Sequence, residues 1–242
     1  MNRLSLLLAS RSPRRRELVA LLGLPFDVTT ADVAEEPLAD ESPARMVARL
    51  SQAKASAGIA STSLNTGAQL DPSACADAGT IVVGCDTIVA LDGEVLGKPR
   101  DAEEAIDMLR RLRGRAHTVY SAVTLLEPAT GTTSTEVAET QLVMRAYTAT
   151  EVAAYVASGD PLDKAGAYAI QHPGFHPVAS SYGCYTNVMG LPLCHLTRGL
   201  RSLGVEPPHD VPTACQAHTG RRCLVYGTIL GCDRTVNGVS GE

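Results

Sequence analysis

The sequence predicts an α/β fold with a mixed β-sheet. Apolar strand segments alternate with helical segments along most of the 242 residues, which is the pattern of an α/β domain. Turn signals at Asp92-Gly93 and at residues 128–131 indicate short hairpins, and therefore some antiparallel pairing. With 45% hydrophobic and 19% charged residues, the chain has the composition of a globular protein with a sizeable core.

Capping residues delimit the helices. Ser12 and Ser42 each precede a proline, which pairs an N-cap with a residue suited to the first helical turn. Asp101 is another N-cap, and Thr148 and Glu151 have the spacing of a capping box. The predicted strands cover residues 4–9, 26–29, 80–91, 94–97, 116–126 and 133–145, and the predicted helices cover residues 13–22, 43–58, 101–113, 148–159 and 192–203.

Two segments lie outside this pattern. Residues 59–79 are mostly small and polar without periodicity, so we expect a flexible surface loop. After Pro207-Pro208 the periodicity ends, which divides the chain into a domain over 1–208 and a C-terminal tail over 209–242. We expect the tail to be loosely ordered, with one additional strand considered for residues 224–230.

Charge and hydropathy exclude several classes of protein. The net charge of −5 disfavours nucleic acid and acidic membranes as partners, so any anion site has to be local. The apolar run at 4–9 is too short to span a membrane, and its basic cluster follows it instead of preceding it as in a signal peptide. A cytoplasmic location is therefore expected.

The cysteines agree with a reducing compartment. Seven are present, an odd number, and none forms a C-x-x-C pair. A zinc site built from Cys215, His218, Cys223 and Cys232 is conceivable, but its irregular spacing disfavours it.

The first strand runs directly into a candidate anion site. Ser10, Ser12, Arg14 and Arg15 place two hydroxyls, a helix N-terminus and guanidinium groups at the end of that strand. Such a set suits a phosphate chain. A solvated basic helix start or a short nucleic-acid-binding run is equally compatible with these residues alone.

Asp86 is the strongest candidate for catalysis. It lies within a β-branched strand, where a carboxylate has to be paired, metal-bound or catalytic, or else holds a neighbouring loop by a structural hydrogen bond. Lys54, Lys98 and Lys164 are cations near the ends of predicted elements, and Glu35 lies in a loop. Together they could hold a phosphate chain and a divalent metal such as Mg²⁺, although each is also compatible with a surface role. The sequence contains no P-loop, dinucleotide fingerprint or nucleophile elbow.

Six separated motifs resemble the Maf nucleotide pyrophosphatases, in the same order, over about residues 3–205. They are ASRSPRR at 9–15, DTIV at 86–89, GKP at 97–99, HTV at 117–119, DKAGAY at 163–168 and NVMGLPL at 187–193. The resemblance implies an elongated mixed sheet flanked by helices, with two lobes and a central cleft, as in inosine triphosphate pyrophosphatase. It also implies hydrolysis of a nucleoside triphosphate to the monophosphate and pyrophosphate with a divalent metal, Mg²⁺ or Mn²⁺, often in a homodimer.

The resemblance assigns roles to particular residues. Asp86 matches the family's proton acceptor, and Glu35 matches an acid that ligates metal or orients water, so both are candidate metal ligands. Ser10, Arg15 and Lys54, together with Lys98, match positions that hold the phosphate chain. Ser12 and Lys164 are the remaining candidate contacts to substrate.

Three further positions imply the substrate. Arg14, Thr87 and Gln171 match the subgroup that prefers dTTP and UTP, and modified pyrimidine nucleotides are also possible substrates. Two alternatives remain open: a 7-methylguanosine triphosphate pyrophosphatase, or a non-catalytic nucleotide-binding regulator of septum formation. Two residues depart from the family's pattern: Ala34 replaces an Asp beside Glu35, and His172 replaces a Gly.

Overall fold

The protein is described by a computed structural model covering residues 4–65 and 79–231. Seven strands form one mixed sheet with helices packed against it, which confirms the predicted fold class. The strands are β1 Ser5–Ala9, β2 Phe26–Thr29, β3 Thr80–Leu91, β4 Glu94–Leu96, β5 Ala116–Glu127, β6 Thr132–Met144 and β7 Val178–Gly183. The helices are α1 Pro13–Ala20, α2 Pro43–Asn65, α3 Ala102–Leu112, α4 Ala149–Ala157, α5 Tyr185–Val188, α6 Leu193–Ser202, α7 Val211–Thr219 and α8 Tyr226–Leu230, with 3₁₀ turns at Asp160–Asp163 and Ala165–Ala167.

The sheet has an opening beside its central strand β3. The strand order is β2-β1-β3-β5-β6-β7, with β1 parallel to both neighbours and the remaining pairs antiparallel. On the edge of β3 away from β5, β1 pairs with residues 80–84 and β4 pairs with residues 89–91. Residues 85–88 lie between these two partners and pair with neither of them. The backbone of this short stretch is therefore accessible to side chains and ligands.

Helix α2 packs unusually close to β3. Gly84 makes this approach possible, because a Cβ atom there would overlap the Ser51 carbonyl oxygen and lie 2.5 Å from the Ala55 nitrogen. Lys54 lies between these two helix residues in sequence, and Asp86 follows Gly84 on the same face of the strand. The close packing of α2 on β3 thus places the Lys54 side chain next to Asp86.

Most of the predicted elements are confirmed. Ser12, Asp101 and Thr148 are the N-caps of α1, α3 and α4, and Thr148 forms the complete capping box with Glu151. The prediction of a loop from residue 59 is wrong for 59–65, which continue α2, while 66–78 lie outside the described residues. Strand β7 and helix α5 were not predicted, because residues 178–188 are too polar and glycine-bearing to show a clear period.

The C-terminal region contains helices where a strand was considered. Residues 226–230 form α8, so the strand prediction for 224–230 is wrong. Val211 of α7 is buried in the main core, and His209 Nδ1 lies 3.2 Å from the Leu21 carbonyl oxygen beside α1. Residues 232–242 lie outside the described part of the chain. None of the helices in the described residues is long and apolar enough to cross a membrane.

Candidate active site

A cavity of about 380 Å³ lies at the opening beside β3. It is bounded by the end of β1, the start of α1, the following loop, and the segments that carry the DKAGAY and NVMGLPL motifs. Ten of the eleven candidate residues named above line it: Ser10, Ser12, Arg14, Arg15, Glu35, Lys54, Asp86, Thr87, Lys98 and Lys164. Residues distant in sequence therefore share one concave site.

Lys54 links the two candidate carboxylates. Its Nζ donates to Asp86 Oδ1 and to Glu35 Oε1, both at 2.6 Å. The Lys54 and Asp86 side chains are only 11% and 7% exposed, so this pair is buried at the base of the cavity. Asp86 Oδ2 is also buried and has no hydrogen-bond partner within the described chain. One oxygen of the carboxylate is thus held by Lys54, whereas the hydrogen-bonding capacity of the other is not used by these residues.

Glu35 is ionised by its surroundings. Burial raises the pKa of Glu35, but the hydrogen bond from Lys54 and the nearby positive charges outweigh it, so the pKa falls below the ordinary 4.5. Lys98 contributes to that field from 3.7 Å, and its side chain is 57% exposed. Glu35 therefore carries its negative charge at neutral pH.

Arg15 is held by contacts within the protein. Its Nε donates to the Gly190 carbonyl at 2.8 Å, Nη1 donates to the Cys85 carbonyl at 3.0 Å, and Nη2 donates to Thr87 Oγ1 at 3.0 Å. A longer bond of 3.3 Å joins Nη1 to Ser10 Oγ. The Cys85 carbonyl belongs to the unpaired stretch of β3, so Arg15 takes the place that a neighbouring strand would have. Only one of the five guanidinium N–H groups remains for a ligand.

Lys164 is neutralised by its neighbours. Its Nζ donates to Asp163 Oδ1 at 2.6 Å and to Asp160 Oδ1 at 3.0 Å, and the residue is 8% exposed. Asp163 also lines the cavity, with a side chain that is 72% exposed. The positive charge that the sequence suggested at this place is therefore largely compensated before any ligand binds.

Gln171 is the candidate that the structure does not bring into the cavity. Its side chain is exposed and is not among the lining residues. The neighbouring His172 holds the turn that follows it, because His172 Nδ1 accepts from the backbone N–H groups of Gly174 and Phe175 at 3.2 and 3.0 Å. The His172 ring also packs against Tyr155. The departure from the family's glycine is thus accommodated by hydrogen bonds that a glycine has no side chain to make.

Several residues around the site received no individual role from the sequence, although His117, Tyr168 and Asn187 lie within the motifs quoted above. Ser121 and Asn187 are fully buried and connect to Thr87 from behind the cavity wall, and Tyr168 lines the cavity with its hydroxyl 2.7 Å from His117 Nε2. The available signal was polarity within predicted strands, because Ser121 and His117 are polar residues at buried positions of a strand, as Asp86 is.

The zinc site considered from sequence has no support in the described residues. Cys215 and Cys223 are free thiols, and Cys232 lies beyond the described part of the chain. Within residues 4–65 and 79–231, no group of three or more His, Cys, Asp or Glu side chains could hold a metal ion by itself.

Fold and cavity together define a class of protein: a mixed α/β protein whose cleft combines arginines, lysines and hydroxyls, as phosphate-binding sites do, with the carboxylates of Asp32, Glu35, Asp86 and Asp163. Comparison with known families then identifies the particular one. The family described as Maf-like protein matches residues 5–203, and the chain belongs to this family.

Curated relatives support the same assignment. The dTTP/UTP pyrophosphatase of Geobacter sulfurreducens is 41% identical over 199 residues, covering 82% of this chain and 96% of the relative. The dTTP/UTP pyrophosphatase of Myxococcus xanthus is 45% identical over 203 residues, covering 84% of this chain and 94% of the relative. A protein of the same name from Pelotomaculum thermopropionicum is 41% identical over 199 residues, covering 82% of this chain and 96% of the relative.

Proposed function

We propose that this protein is a nucleoside triphosphate pyrophosphatase that hydrolyses dTTP and UTP to the monophosphate and pyrophosphate. The observation that carries the proposal is the Asp86 carboxylate, which lies in a cation-lined cavity with one oxygen held by Lys54 and the other without a hydrogen-bond partner among the described residues. The relatives named dTTP/UTP pyrophosphatase supply the substrate class.

The proposed reaction uses Asp86 as the general base. Lys54 holds Oδ1 and thereby orients the carboxylate, so that Oδ2 accepts a proton from a water molecule. The water oxygen then bonds to the α-phosphorus, the bond from that phosphorus to the α–β bridging oxygen breaks, and pyrophosphate leaves with the bond's electron pair. Negative charge that develops on the phosphate oxygens is stabilised by the surrounding cations.

Substrate contacts follow from the cavity lining. Ser10, Ser12, Lys98 and Lys164 are proposed to hold the triphosphate, together with the one free N–H of Arg15. Lys164 can do so only in competition with Asp160 and Asp163, of which Asp163 is exposed enough to move aside. Arg14, Thr87 and Gln171 are the proposed contacts to the base. Because Gln171 lies outside the cavity, its contact requires the bound base to extend beyond the lining residues.

A divalent ion fits this site with help from the substrate. Asp86 Oδ2 is an orphaned buried oxygen, and Glu35 supplies a second ionised carboxylate. Two carboxylates completed by phosphate oxygens and water are the usual surroundings of Mg²⁺, and Mn²⁺ accepts the same ligands. We propose Asp86 and Glu35 as these ligands, with the two lone pairs of Asp86 Oδ2 divided between the ion and the proton of the attacking water. The bound ion would neutralise phosphate charge. Ala34 stands where the family has an Asp, so Glu35 is the ligand proposed from this part of the loop, and Asp32 of the same loop also lines the cavity.

The Asp86→Asn variant tests the proposed base. It keeps the shape of the side chain but cannot accept the proton, so pyrophosphate release should fall at least about 100-fold. Nucleotide binding, measured by the thermal shift that UTP produces, should persist. Asp107→Asn is the matched control, because Asp107 is exposed on α3 and does not line the cavity. Near-wild-type turnover of Asp86→Asn would exclude Asp86 as the base.

A substrate panel tests the proposed activity itself. UTP, dTTP, CTP and 7-methyl-GTP are incubated with Mg²⁺ or Mn²⁺, and both monophosphate and pyrophosphate are quantified. We expect UTP and dTTP to be the best substrates. Preferential turnover of 7-methyl-GTP would indicate the alternative pyrophosphatase, and the absence of pyrophosphate from every nucleotide would contradict the proposal and favour a non-catalytic regulator.

Assembly, location and domain division are also part of the proposal. We propose a homodimer, as the family resemblance implies, and light scattering of the purified chain tests it. A cytoplasmic location fits an enzyme that acts on nucleotide pools. The proposed catalytic domain ends near residue 208, with residues 209–242 as an extension outside the family match.

A further inference from the structure

A chain of hydrogen bonds leads from the cavity wall into the core. Arg15 Nη2 lies 3.0 Å from Thr87 Oγ1, Thr87 Oγ1 lies 2.8 Å from Ser121 Oγ, and Ser121 Oγ lies 2.8 Å from the Asn187 carbonyl oxygen. Ser121 and Asn187 are both fully buried. The Asn187 side chain is itself held by bonds to the Val119 carbonyl and Thr140 Oγ1, at 3.0 and 2.9 Å. The inner end of the chain is therefore rigid.

The direction of each bond in this chain is determined by its ends. A carbonyl oxygen only accepts, so the single hydroxyl proton of Ser121 is donated to Asn187. Ser121 Oγ can then only accept from Thr87. The Thr87 hydroxyl has one other acceptor, the Gly190 carbonyl, but that contact is 3.5 Å long, so the Thr87 proton goes inward to Ser121 at 2.8 Å. Arg15 is always protonated and donates to the same Thr87 oxygen from the other side. Thr87 is left with one lone pair and no proton for a ligand.

We propose that Ser121 is a positioning residue that makes the Thr87 hydroxyl a hydrogen-bond acceptor toward the cavity. This inference rests on the proposed function and deepens it, because it specifies which base edge the site accepts. Uracil and thymine present an N3–H donor between two carbonyl acceptors, whereas cytosine presents N3 as an acceptor. An acceptor-only hydroxyl beside the guanidinium donors of Arg14 complements the first pattern.

Cytosine is rejected by the same arrangement. Its N3 lone pair would face the Thr87 lone pair, and the hydroxyl cannot rotate to donate without breaking its bond to Ser121. A site that leaves a polar group unpaired in this way discriminates far more strongly than one that merely loses a contact. The preference for UTP over CTP therefore depends on the buried Ser121 as well as on the residues that line the cavity.

Two single variants and their combination test this inference. Ser121→Ala frees the Thr87 proton, so the ratio of kcat/KM for UTP to that for CTP should fall about tenfold or more. Thr87→Val keeps the shape but removes the hydroxyl, and should lower the ratio similarly. In the Thr87→Val background, Ser121→Ala should change the ratio no further, because the hydroxyl through which it acts is gone. The Ser121→Thr variant keeps a hydroxyl that can donate to the Asn187 carbonyl, so it should keep the wild-type ratio of UTP to CTP turnover.

The readouts separate this inference from the proposed function. A purely structural role of Ser121 predicts equal losses for UTP and CTP with an unchanged ratio, and that result would overturn the inference. If Ser121→Ala does not fold, an unchanged ratio in Thr87→Val overturns it as well. If the wild-type protein releases no pyrophosphate, the proposed function fails. In that case the thermal shifts produced by UTP and CTP replace the kinetic ratio. A difference between the UTP and CTP shifts that is the same in wild type and variants would contradict the inference.

Discussion

At the scale of single residues, Lys54 is the most consequential side chain of the site. It holds both carboxylates at 2.6 Å and is almost fully buried, whereas Lys98 reaches Glu35 only at 3.7 Å from an exposed position. Buried partners depend on one another, because removing one leaves an uncompensated charge in a poorly solvated place. Exposed pairs are screened by water and contribute little.

We expect Lys54→Met to lower the free energy of unfolding at pH 7 by about 3–5 kcal/mol, because it leaves Asp86 without its partner. Lys98→Met is the matched control and should change it by less than about 1 kcal/mol. Urea unfolding of the three proteins measures both effects. Because the pKa of Glu35 is lower in the folded protein, its ionised carboxylate adds to the free energy of unfolding above pH 4.5. That contribution is lost as the pH falls through the lowered pKa. Equal effects of the two substitutions would contradict this account.

The sequence revealed only part of this site. Asp86 stood out because a carboxylate within a β-branched strand is anomalous, and the family resemblance assigned roles to Lys54, Lys98 and Glu35. The compensation of Lys164 by Asp160 and Asp163 was not predicted, since a salt bridge depends on side-chain geometry that sequence order does not determine. Gln171 shows the same limit, because its match to a subgroup's position does not reveal whether its side chain faces the cavity.

At the scale of elements, the packing of α2 on β3 determines where the reactive groups lie. The N-caps and strand periods were local and were predicted correctly, because capping and β-branching act within a few residues. Strand β7 was missed because its pairing with β6 comes from tertiary contacts. The need for glycine at position 84 was likewise invisible, because only the approach of the helix creates it.

We expect Gly84→Ala to destabilise the protein by about 1–3 kcal/mol or more, because the added methyl group overlaps the backbone of α2. The displaced helix should also separate Lys54 from Asp86 and reduce turnover. Gly97→Ala is the control for stability, since a Cβ atom there meets nothing within 4 Å, and its effect should stay within about 0.5 kcal/mol. Thermal or urea unfolding gives both values. An undiminished stability of Gly84→Ala would show that the helix can move without cost.

At the scale of the whole molecule, two buried histidines tie stability to pH. Burial lowers the pKa of His117 on β5 and of His195 on α6 to about 4, from an ordinary value of 6.5. Nδ1 of each ring has no hydrogen-bond partner within the described residues. Both rings are therefore neutral in the folded protein at neutral pH, whereas the unfolded chain binds protons below pH 6.5.

Stability should consequently be unaffected by these groups above pH 6.5 and fall as the pH drops from 6.5 toward 4, by about 3 kcal/mol per histidine. His195→Leu removes one of the two groups and should flatten this slope by about half. His218→Gln, at an exposed position of α7, is the surface control. Chemical unfolding at a series of pH values measures the slope. A slope unchanged in His195→Leu would exclude its titration as a cause.

The sequence by itself determined the α/β class, most helix and strand positions, the family and the candidate carboxylate at Asp86, because these depend on local periodicity, capping and ordered motifs. Only the tertiary structure decided how those residues act together. The opening beside β3, the close approach of α2 at Gly84 and the inward hydrogen bonds from Thr87 through Ser121 arise between segments far apart in the chain. The distances between side chains, their burial and the directions of their hydrogen bonds depend on these contacts, which exist only in the folded protein.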